Sequence, residues 1–456
     1  PIVASLPAIG GTDGFDIAQA AVAGNLTNMN VIIGGSGTDT FTGVSADNTW
    51  TFSSDDAGIL QTSLGGSPML AFSAFETITG ASGIDNFTFP DGFNGSIQEL
   101  GGNNIFNFTG ALGSSAFITG GNDNDTFVFA GAGGASDGFI NGVGGTDVFE
   151  FNGGVYDVNS VPNSIENIVI NTGGVANLNV DLSLDNLSIF DTGQLGGTGN
   201  TTVGTAFIIS SGAVNNIINS SGTLLLGGGS LNQIIVGAGG DLTFTGGGTL
   251  QNDSNLDLSG ALPGSAFRID NTVAFDNNGL LTVDVGQMNV QSNFSNDGAI
   301  VLTNAGQFSG SGASFINSST GTLSGNGTFF APNNLTNNGV IAPGLSIGTL
   351  TVFGGDVVFN TGSRLEIEVT SGLSSDQFNV TGTAFLNTGA ILDVIAFGGY
   401  AGNAGDSFTS VLSAGTGIAG TSGNFDTLLQ PGAFSVNPVY GANALDLNVL
   451  NAAVNT

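Results

Sequence analysis

The sequence predicts an all-β protein, folded as a right-handed parallel β-helix (a β-solenoid) with rungs of about 20 residues. Three observations favour this fold class: short segments of alternating apolar residues, turn-forming residues at both ends of each segment, and phrases that recur at a nearly constant spacing. A single hydrophobic core rarely grows beyond about 250 to 300 residues. A chain of 456 residues is therefore expected to add its core one rung at a time.

The first predicted segment, residues 1–155, is a β-rich region with a glycine–aspartate phrase. Strands are predicted where apolar residues alternate, as in Thr126–Phe129, and a short helix is expected at Asp16–Ala23. The aspartates of successive phrases are separated by 46, 40 and 22 residues, which are close to multiples of about 21. One rung length is therefore expected throughout the chain. The phrase occurs at Gly34–Phe41, Gly80–Phe87, Gly120–Phe127 and Gly144–Phe149, with a degenerate copy at Gly101–Phe106.

The second predicted segment, residues 156–336, consists of β-helix rungs with a different phrase. An apolar residue is followed by asparagine, by a turn with glycine, and by a new alternating strand. We expect left-handed backbone dihedrals at the Asn-Gly turns and phenylalanines stacked on phenylalanines in the core. Successive copies start 19, 21 and 20 residues apart, at Phe275–Val283, Phe294–Leu302, Phe315–Leu323 and Leu335–Ile341.

The third predicted segment, residues 337–456, resembles the C-terminal cap of autotransporter passenger domains. The resemblance covers about 337–450 and is carried by Asn337–Val352, Gly362–Val369, Ser375–Gly382 and Gly389–Val394. In that family such rungs close a right-handed β-helix and assist its folding outside the cell. Two further segments, Asn48–Phe52 and Phe72–Gly80, look like a module of filamentous haemagglutinin-type adhesins. These resemblances imply a bacterial surface protein.

The glycine–aspartate phrases of residues 34–149 resemble the calcium-binding repeat of RTX proteins. In that repeat, glycines permit a tight turn, carbonyl and carboxylate oxygens bind calcium, and an apolar residue packs inward. The RTX family stacks nonapeptides back to back, whereas each phrase here stands alone. An aspartate that only hydrogen-bonds its own turn is the alternative. The calcium ligands that the resemblance implies are Asp39, Asp85, Asp125 and Asp147. Asp123 is predicted as a further ligand, because it shares a turn with Asp125 and two carboxylates suit a calcium ion.

Composition narrows the range of functions. The chain has a formal charge of −33 and only two basic residues, Arg268 and Arg364, which argues against binding to nucleic acid or to anionic lipid. It has no histidine and no cysteine, which excludes Ser-His and Cys-His catalysis and the usual zinc ligands. We therefore predict no enzymatic activity, with a polysaccharide-acting β-helix enzyme that uses paired aspartates as a remote alternative. No apolar run is long enough to span a membrane as a helix.

These observations predict a secreted, extracellular or cell-surface location. The expected function is that of a self-assembling fibre or sheath subunit, joined to copies of itself by head-to-tail β-strand contacts with calcium as a bridging ion. The contacts would involve the apolar segments Ile2–Leu6 and Leu445–Leu450. The alternative is a monomeric adhesin passenger that binds host cells, neighbouring cells or cell-surface glycans. A fibre subunit should polymerise when purified alone, whereas a passenger should remain monomeric.

Overall fold

The structure is a computed structural model with two compact units, Pro1–Val203 and Gly204–Thr456, which are described separately. The described residues form 52 strands and no helix. None of them belongs to a helix that could cross a membrane. The structure describes residues 3–9, 15–19, 25–62, 69–211, 216–220, 223–226, 231–236, 241–245, 249–253, 255–258, 266–284, 286–312 and 314–452.

The first unit is a stack of short strands. Most run parallel to the equivalent strand of the next rung, and four hydrogen bonds between successive rungs join residues 19, 21, 22 and 19 positions apart. The strands are β1 (Val3–Ile9), β2 (Phe15–Gln19), β3 (Asn25–Met29), β4 (Val31–Ile33), β5 (Thr40–Thr42), β6 (Asn48–Ser54), β7 (Ala57–Thr62), β8 (Met69–Ser73), β9 (Thr77–Thr79), β10 (Asp85–Phe89), β11 (Ser96–Gln98), β12 (Ile105–Phe108), β13 (Phe117–Gly121), β14 (Thr126–Phe129), β15 (Gly134–Ser136), β16 (Phe139–Val143), β17 (Val148–Phe151), β18 (Gly154–Val158), β19 (Asn167–Ile170), β20 (Gly174–Leu178), β21 (Leu182–Phe190) and β22 (Gln194–Gly197); β23 (Thr201–Ser211) spans the boundary between the units.

Three parallel columns of strands form this unit. One contains β5, β9, β11, β13 and β16, a second contains β6, β10, β12, β14, β17, β19 and β21, and the third contains β15, β18, β20 and β22. Two antiparallel additions interrupt the pattern, β1–β2–β3 and β6–β7–β8. The second addition corrects one expectation, because Asp85 pairs with Asn48 and the chain between them contains an antiparallel excursion. The spacing of 46 residues between Asp39 and Asp85 is therefore not two regular rungs.

The second unit repeats a rung of three strands. From β24 to β50, every third strand pairs in parallel with its counterpart in the next rung. The strands are β24 (Asn216–Ser220), β25 (Thr223–Leu226), β26 (Leu231–Val236), β27 (Asp241–Thr245), β28 (Thr249–Asn252), β29 (Asn255–Leu258), β30 (Ala266–Ile269), β31 (Ala274–Asn277), β32 (Leu280–Asp284), β33 (Gln287–Val290), β34 (Phe294–Asn296), β35 (Ala299–Thr303), β36 (Gln307–Gly310), β37 (Phe315–Asn317), β38 (Thr322–Gly325), β39 (Thr328–Phe330), β40 (Leu335–Asn337), β41 (Val340–Pro343), β42 (Thr349–Phe353), β43 (Val357–Phe359), β44 (Arg364–Val369), β45 (Gln377–Val380), β46 (Thr383–Leu386), β47 (Ile391–Ala396), β48 (Ser407–Ala414), β49 (Gly417–Ala419), β50 (Thr427–Leu429), β51 (Phe434–Tyr440) and β52 (Ala444–Ala452).

The all-β solenoid and its period confirm the predicted fold class. Side-chain hydrogen bonds between successive rungs of the second unit span 19, 21 and 20 residues, as the phrases predicted. The predicted aromatic stacks are also present, with ring centroids 5.1 Å apart for Phe275 and Phe294 and 4.7 Å apart for Phe106 and Phe127. Successive side chains of most strands alternate between the core and the outside, and apolar residues fill most of the core positions. Each new rung therefore covers the apolar surface of the previous one. The domain boundaries at 155/156 and 336/337 stay predictions.

One local expectation was wrong, and a second was wrong for part of the chain. Asp16–Ala23 was expected to be helical, but Phe15–Gln19 is a strand that pairs with Val3–Ile9, and residues 20–24 lie outside the described part. Left-handed dihedrals are present at Gly362 and Gly389, in two later copies of the phrase, but not at Gly298, Gly321 or Gly339. A Cβ at each of the latter three positions would instead overlap backbone carbonyl groups of a neighbouring rung. The close approach of rungs, and not the backbone conformation, requires glycine there.

Candidate functional site

A single position in the rungs of the first unit carries polar side chains, among them the aspartates of three glycine–aspartate phrases. It is the first residue of β6 and β10, and the residue just before β12, β14, β17 and β19. Parallel pairing places these residues directly above one another. Five of these residues are almost completely buried, with at most 2% of each exposed. We call this column the carboxylate ladder; it contains Asn48, Asp85, Asn104, Asp125, Asp147 and Glu166.

Backbone-to-side-chain hydrogen bonds connect the carboxylate ladder from rung to rung. The Asp85 N–H donates to Asn104 Oδ1 at 2.8 Å, and the Asn104 N–H donates to Asp125 Oδ1 at 2.8 Å. The Asp125 N–H donates to Asp147 Oδ1 at 2.7 Å, and the Asp147 N–H donates to Glu166 Oε2 at 2.8 Å. Each side chain therefore satisfies a buried backbone donor at the start of a strand, which would otherwise cost free energy.

Two glycines that precede ladder aspartates in the sequence make room for their side chains. Gly120 and Gly142 each stand five residues before a ladder aspartate, and a Cβ at either glycine would overlap the Oδ2 atom of Asp125 or Asp147. Neither glycine needs a left-handed conformation. The spacing of glycine and aspartate in the sequence thus has a packing explanation, since the turn folds the glycine back against the carboxylate.

Glu99 occupies the glycine position in the rung that has Asn104 in the ladder. Its side chain is only 5% exposed, and it reaches Gly80 in the preceding rung, where a Cβ would overlap Glu99 Oε1. Both Glu99 oxygens are buried without a well-formed hydrogen bond. Burial, followed by the negative charges of Asp85 and Asp125, raises the pKa of Glu99 to about 10. The rung with Asn104 in the ladder therefore also contains one buried acidic side chain, but this side chain stands at the glycine position, where the phrases do not predict it.

The ladder aspartates are also unusual acids. Burial is the main cause that raises the pKa of Asp85 to about 6, of Asp125 to about 7 and of Asp147 to about 6. For Asp125 and Asp147, neighbouring carboxylates add to this effect. The Oδ2 atom of each is buried and accepts no hydrogen bond. The ladder thus concentrates negative charge where no lysine or arginine of the described residues neutralises it.

The structure places the five predicted calcium ligands in different surroundings. Asp85, Asp125 and Asp147 belong to the carboxylate ladder. Asp39 is buried elsewhere, where its Oδ2 accepts the Gly35 N–H and its own N–H donates to Glu76 Oε2 at 2.7 Å. Asp123 is exposed and accepts the Gly102 N–H at 2.8 Å. Among the described residues no three His, Cys, Asp or Glu side chains are grouped to hold a metal ion. Calcium at these aspartates stays a prediction.

The second unit has a buried ladder of asparagines, the residues that the repeated phrases predict in turns. Each Nδ2 group donates to Oδ1 of the next residue, at 2.7 Å for Asn252 and Asn277, 2.9 Å for Asn296 and 2.8 Å for Asn317. All five side chains are completely buried. The last residues of strands β28, β31, β34, β37 and β40 form this asparagine ladder: Asn252, Asn277, Asn296, Asn317 and Asn337.

The single tryptophan of the sequence, Trp50, and the basic residue Arg364 both have structural roles. Trp50 is completely buried and stacks on Phe87 with ring centroids 5.9 Å apart, so it is a core residue. Arg364 forms ion pairs with Glu366 and Asp393, each at 3.2 Å.

Comparisons with known proteins do not assign a function to this chain. No protein-family model matches the chain, and no curated protein matches it. Among solved structures, the chain is similar to the crystal structure of the Haemophilus influenzae Hap adhesin, with a TM-score of 0.34 and 12% sequence identity. The match covers 98% of this chain and 71% of that chain. The fold assignment rests on the strand pairings of the chain itself.

Proposed function

We propose that this protein is an extracellular, non-catalytic β-solenoid that acts as an adhesin, binding uncharged glycans of a cell surface along its outer face. One observation carries this proposal. Six neutral polar residues lie in register on six successive rungs of the second unit and face outward: Gln287, Gln307, Thr328, Thr351, Asn379 and Ser413. They form a continuous column of hydrogen-bonding groups.

Such a column suits a long, repeating, hydroxyl-rich ligand. Neighbouring strands lie about 4.8 Å apart, so donors and acceptors recur at a short and regular interval. The residues carry no charge, so binding would not depend on ion pairs. The composition agrees with a non-catalytic role, because histidine and cysteine are absent from the sequence.

Direct binding tests the adhesin proposal. The full chain would be applied to immobilised neutral polysaccharides and to whole bacterial and host cells. The substitution Thr351→Glu places a charge in the column, and we expect it to lower the affinity at least about tenfold. Thr336→Glu is the matched control, because Thr336 also faces outward from a short strand but lies in another column. Equal binding by the two variants, or no binding by the folded wild-type protein, would refute the proposal.

The fibre-subunit hypothesis is the second candidate, and the C-terminal end of the second unit bears on it. There, β52 pairs antiparallel with β48, and β51 pairs with β52. The outer strand β51 contains Pro438, and the last rung ends in β49 and β50, which have three residues each. Short edge strands and proline are features that limit edge-to-edge pairing. This end therefore favours the monomeric adhesin over head-to-tail growth.

Electron microscopy of the purified chain separates the two candidates. Isolated single molecules, unchanged by a calcium chelator, are expected for the adhesin. Filaments that fray when the chelator is added would support the calcium-bridged fibre and count against a monomeric adhesin.

A further inference from the structure

An exposed pair of aromatic rings stands beside the column of neutral polar residues on which the proposed function rests. Phe330 ends β39 and Phe353 ends β42, and parallel pairing places them in register on successive rungs. Their ring centroids lie 5.5 Å apart, with an angle of 63° between the planes. Phe353 is 51% exposed, although burial of a phenylalanine is favourable. Two neighbouring rings left open to solvent on regular strands are a candidate contact for a ligand.

The two rings belong to the same face as the polar column. Thr328 and Thr351 stand two residues before Phe330 and Phe353, and side chains two positions apart in a strand point to the same side. Neither threonine hydroxyl forms a hydrogen bond with another residue of the described part of the chain. Further along the column such groups already bind each other, since Ser413 Oγ donates to the Oδ1 atom of the residue paired with it, at 2.6 Å. Available hydroxyl groups and exposed rings therefore occur together on two successive rungs.

The strands of this face contain no charged residue. We call it the neutral face: the outward side of strands β33, β36, β39, β42, β45 and β48, none of which contains aspartate, glutamate, lysine or arginine. Asp356 follows β42, and its Oδ1 accepts the Thr383 N–H at 2.7 Å. The whole chain has a formal charge of −33. A neutral face on so acidic a protein favours an uncharged ligand over an anionic one.

A sugar chain fits the neutral face better than a second copy of the protein. Two copies would each bring a charge of −33, so they repel each other. A pyranose ring whose hydroxyl groups are all equatorial has C–H bonds on both faces and hydroxyl groups around its edge. The C–H face can lie on the electron-rich face of an aromatic ring, while the edge hydroxyls bind neighbouring polar groups. Phe330 with Thr328, and Phe353 with Thr351, offer this combination twice in succession.

We propose that Phe330 and Phe353 form a stacking subsite on the neutral face, which binds an extended chain of β-linked pyranoses with equatorial hydroxyl groups. This inference rests on the proposed function and names its class of ligand. Neighbouring strands lie about 4.8 Å apart, so an extended chain can contact both rings and both threonines in succession. A coiled α-linked chain bends away after one contact. Phe353, the more exposed ring, carries most of the affinity.

Isothermal titration calorimetry of the full chain tests the subsite, with cellohexaose as the extended β-linked probe and maltohexaose as the coiled α-linked probe. We expect cellohexaose to bind at least about tenfold more tightly than maltohexaose. Phe353→Ala should weaken cellohexaose binding by about tenfold, because the stacking contact is lost. Phe353→Tyr keeps the ring, so its affinity should stay within about threefold of the wild type.

Two further variants separate stacking from other effects. Phe353→Leu keeps an apolar side chain without the ring, and its affinity should fall by more than about threefold. Phe397→Ala is the matched control, because Phe397 is 38% exposed in the same unit but follows β47, outside the neutral face. Its affinity should equal that of the wild type. Thermal unfolding first shows that each variant is folded.

The outcomes distinguish this inference from the proposed function. Equal cellohexaose binding by the wild type and Phe353→Ala, with a loss in Thr351→Glu, would overturn the stacking subsite and leave the adhesin proposal intact. Binding of maltohexaose as tight as that of cellohexaose, or of other neutral polysaccharides only, would overturn the class of ligand. A dimer in analytical ultracentrifugation that Phe353→Ala dissociates would assign the rings to contact with a second copy. Failure of the folded wild type to bind any neutral polysaccharide would overturn both proposals.

Discussion

The carboxylate ladder of the first unit and the asparagine ladder of the second unit both satisfy buried hydrogen-bonding groups between successive rungs, but they do so with different chemistry. Both are buried columns at the end or the start of a strand, and both link successive rungs by hydrogen bonds. An asparagine supplies a donor and an acceptor, so it can continue a column of amides without charge. An ionised aspartate supplies only acceptors, so it depends on backbone N–H donors.

This difference predicts different responses to pH. The asparagine ladder has no group that titrates. The carboxylate ladder contains acids with raised pKa values, and it leaves the Oδ2 atoms of Asp85, Asp125 and Asp147 without partners. Such a column is at its most stable when its acids are protonated. The two units therefore share a fold period, but only the first is expected to respond to acidity through its ladder.

The largest expected effect comes from placing a charge in the asparagine ladder. Asn317 donates through Nδ2 to Asn337 Oδ1 and to the carbonyl groups of Gly321 and Val340. Asn317→Asp removes these donors and buries an unpaired carboxylate, so we expect a loss of about 3 to 5 kcal/mol in the free energy of unfolding at pH 7. The loss should be smaller at pH 4. Urea denaturation measures both values.

The control for that substitution is Asn293→Asp on the exposed side of the same unit, because the Asn293 Oδ1 accepts the Ser314 N–H and an aspartate oxygen can do the same. Its free energy of unfolding should stay within about 0.5 kcal/mol of the wild type. If the two variants lose equal stability, the buried amide column is not what supports the second unit.

A smaller effect is expected at the glycines beside the carboxylate ladder. In Gly142→Ala the new Cβ would overlap Asp147 Oδ2 and the Ser164 carbonyl, and we expect a loss of about 1 to 3 kcal/mol. Gly144→Ala is the matched control, because its nearest neighbouring atom lies 3.7 Å from the added carbon. Thermal unfolding of the two variants should differ; similar melting temperatures would show that the ladder does not need the space that Gly142 leaves.

The carboxylate ladder shows how much of the site could be predicted from the sequence. The phrases correctly indicated the period, the strands and the inward Phe41. They did not indicate whether the aspartate lies in an exposed turn or at a buried strand start, because glycine and aspartate at this spacing are typical of both. The burial of Glu99 could not be predicted from the sequence, because its carboxyl group lies in the space that Gly80 of the preceding rung leaves open.

The same limit applies to the second unit. The repeated asparagines were expected in turns, since asparagine followed by glycine is a common turn pair. Their burial depends on identical residues in neighbouring rungs, which is a property of the stack. One signal was present in the sequence: asparagine recurs at one fixed position in the phrases that begin at Phe275, Phe294 and Phe315. The Asp16–Ala23 expectation failed because a short amphipathic pattern does not outweigh pairing to a neighbouring strand.

A stabilising substitution tests the electrostatics of the first ladder. The folded state raises the pKa of Asp125 from 3.8 to about 7, so the folded chain binds this proton more tightly than the unfolded chain. Stability is therefore lost as the pH rises from about 4 to about 7. Asp125→Asn should gain about 1 to 2 kcal/mol at pH 8 and nothing at pH 4. The substitution Asp123→Asn, at an exposed aspartate of the same turn, should show no such gain. An equal gain in both variants would show that the lower net charge, and not the burial of Asp125, stabilises the protein.

Calcium is expected to have the smallest effect, and it would act on one unit only. If Asp39, Asp85, Asp123, Asp125 and Asp147 bind calcium as predicted, the ion stabilises the first unit by about 1 kcal/mol at five times its dissociation constant. Calorimetric unfolding with calcium and with a chelator measures this shift. Replacing all five aspartates by asparagine should abolish it, and an undiminished shift in that variant would remove these residues as ligands.

The most direct test is hydrogen exchange with mass spectrometry of the full chain at pH 5 and pH 8, with a chelator present and intrinsic rates removed. We predict that strands β10, β12, β14 and β17 lose protection at pH 8, whereas β31, β34, β37 and β40 keep theirs. An equal loss in both sets of strands, or no loss in the first set, would contradict the distinction between a titrating carboxylate ladder and a neutral asparagine ladder.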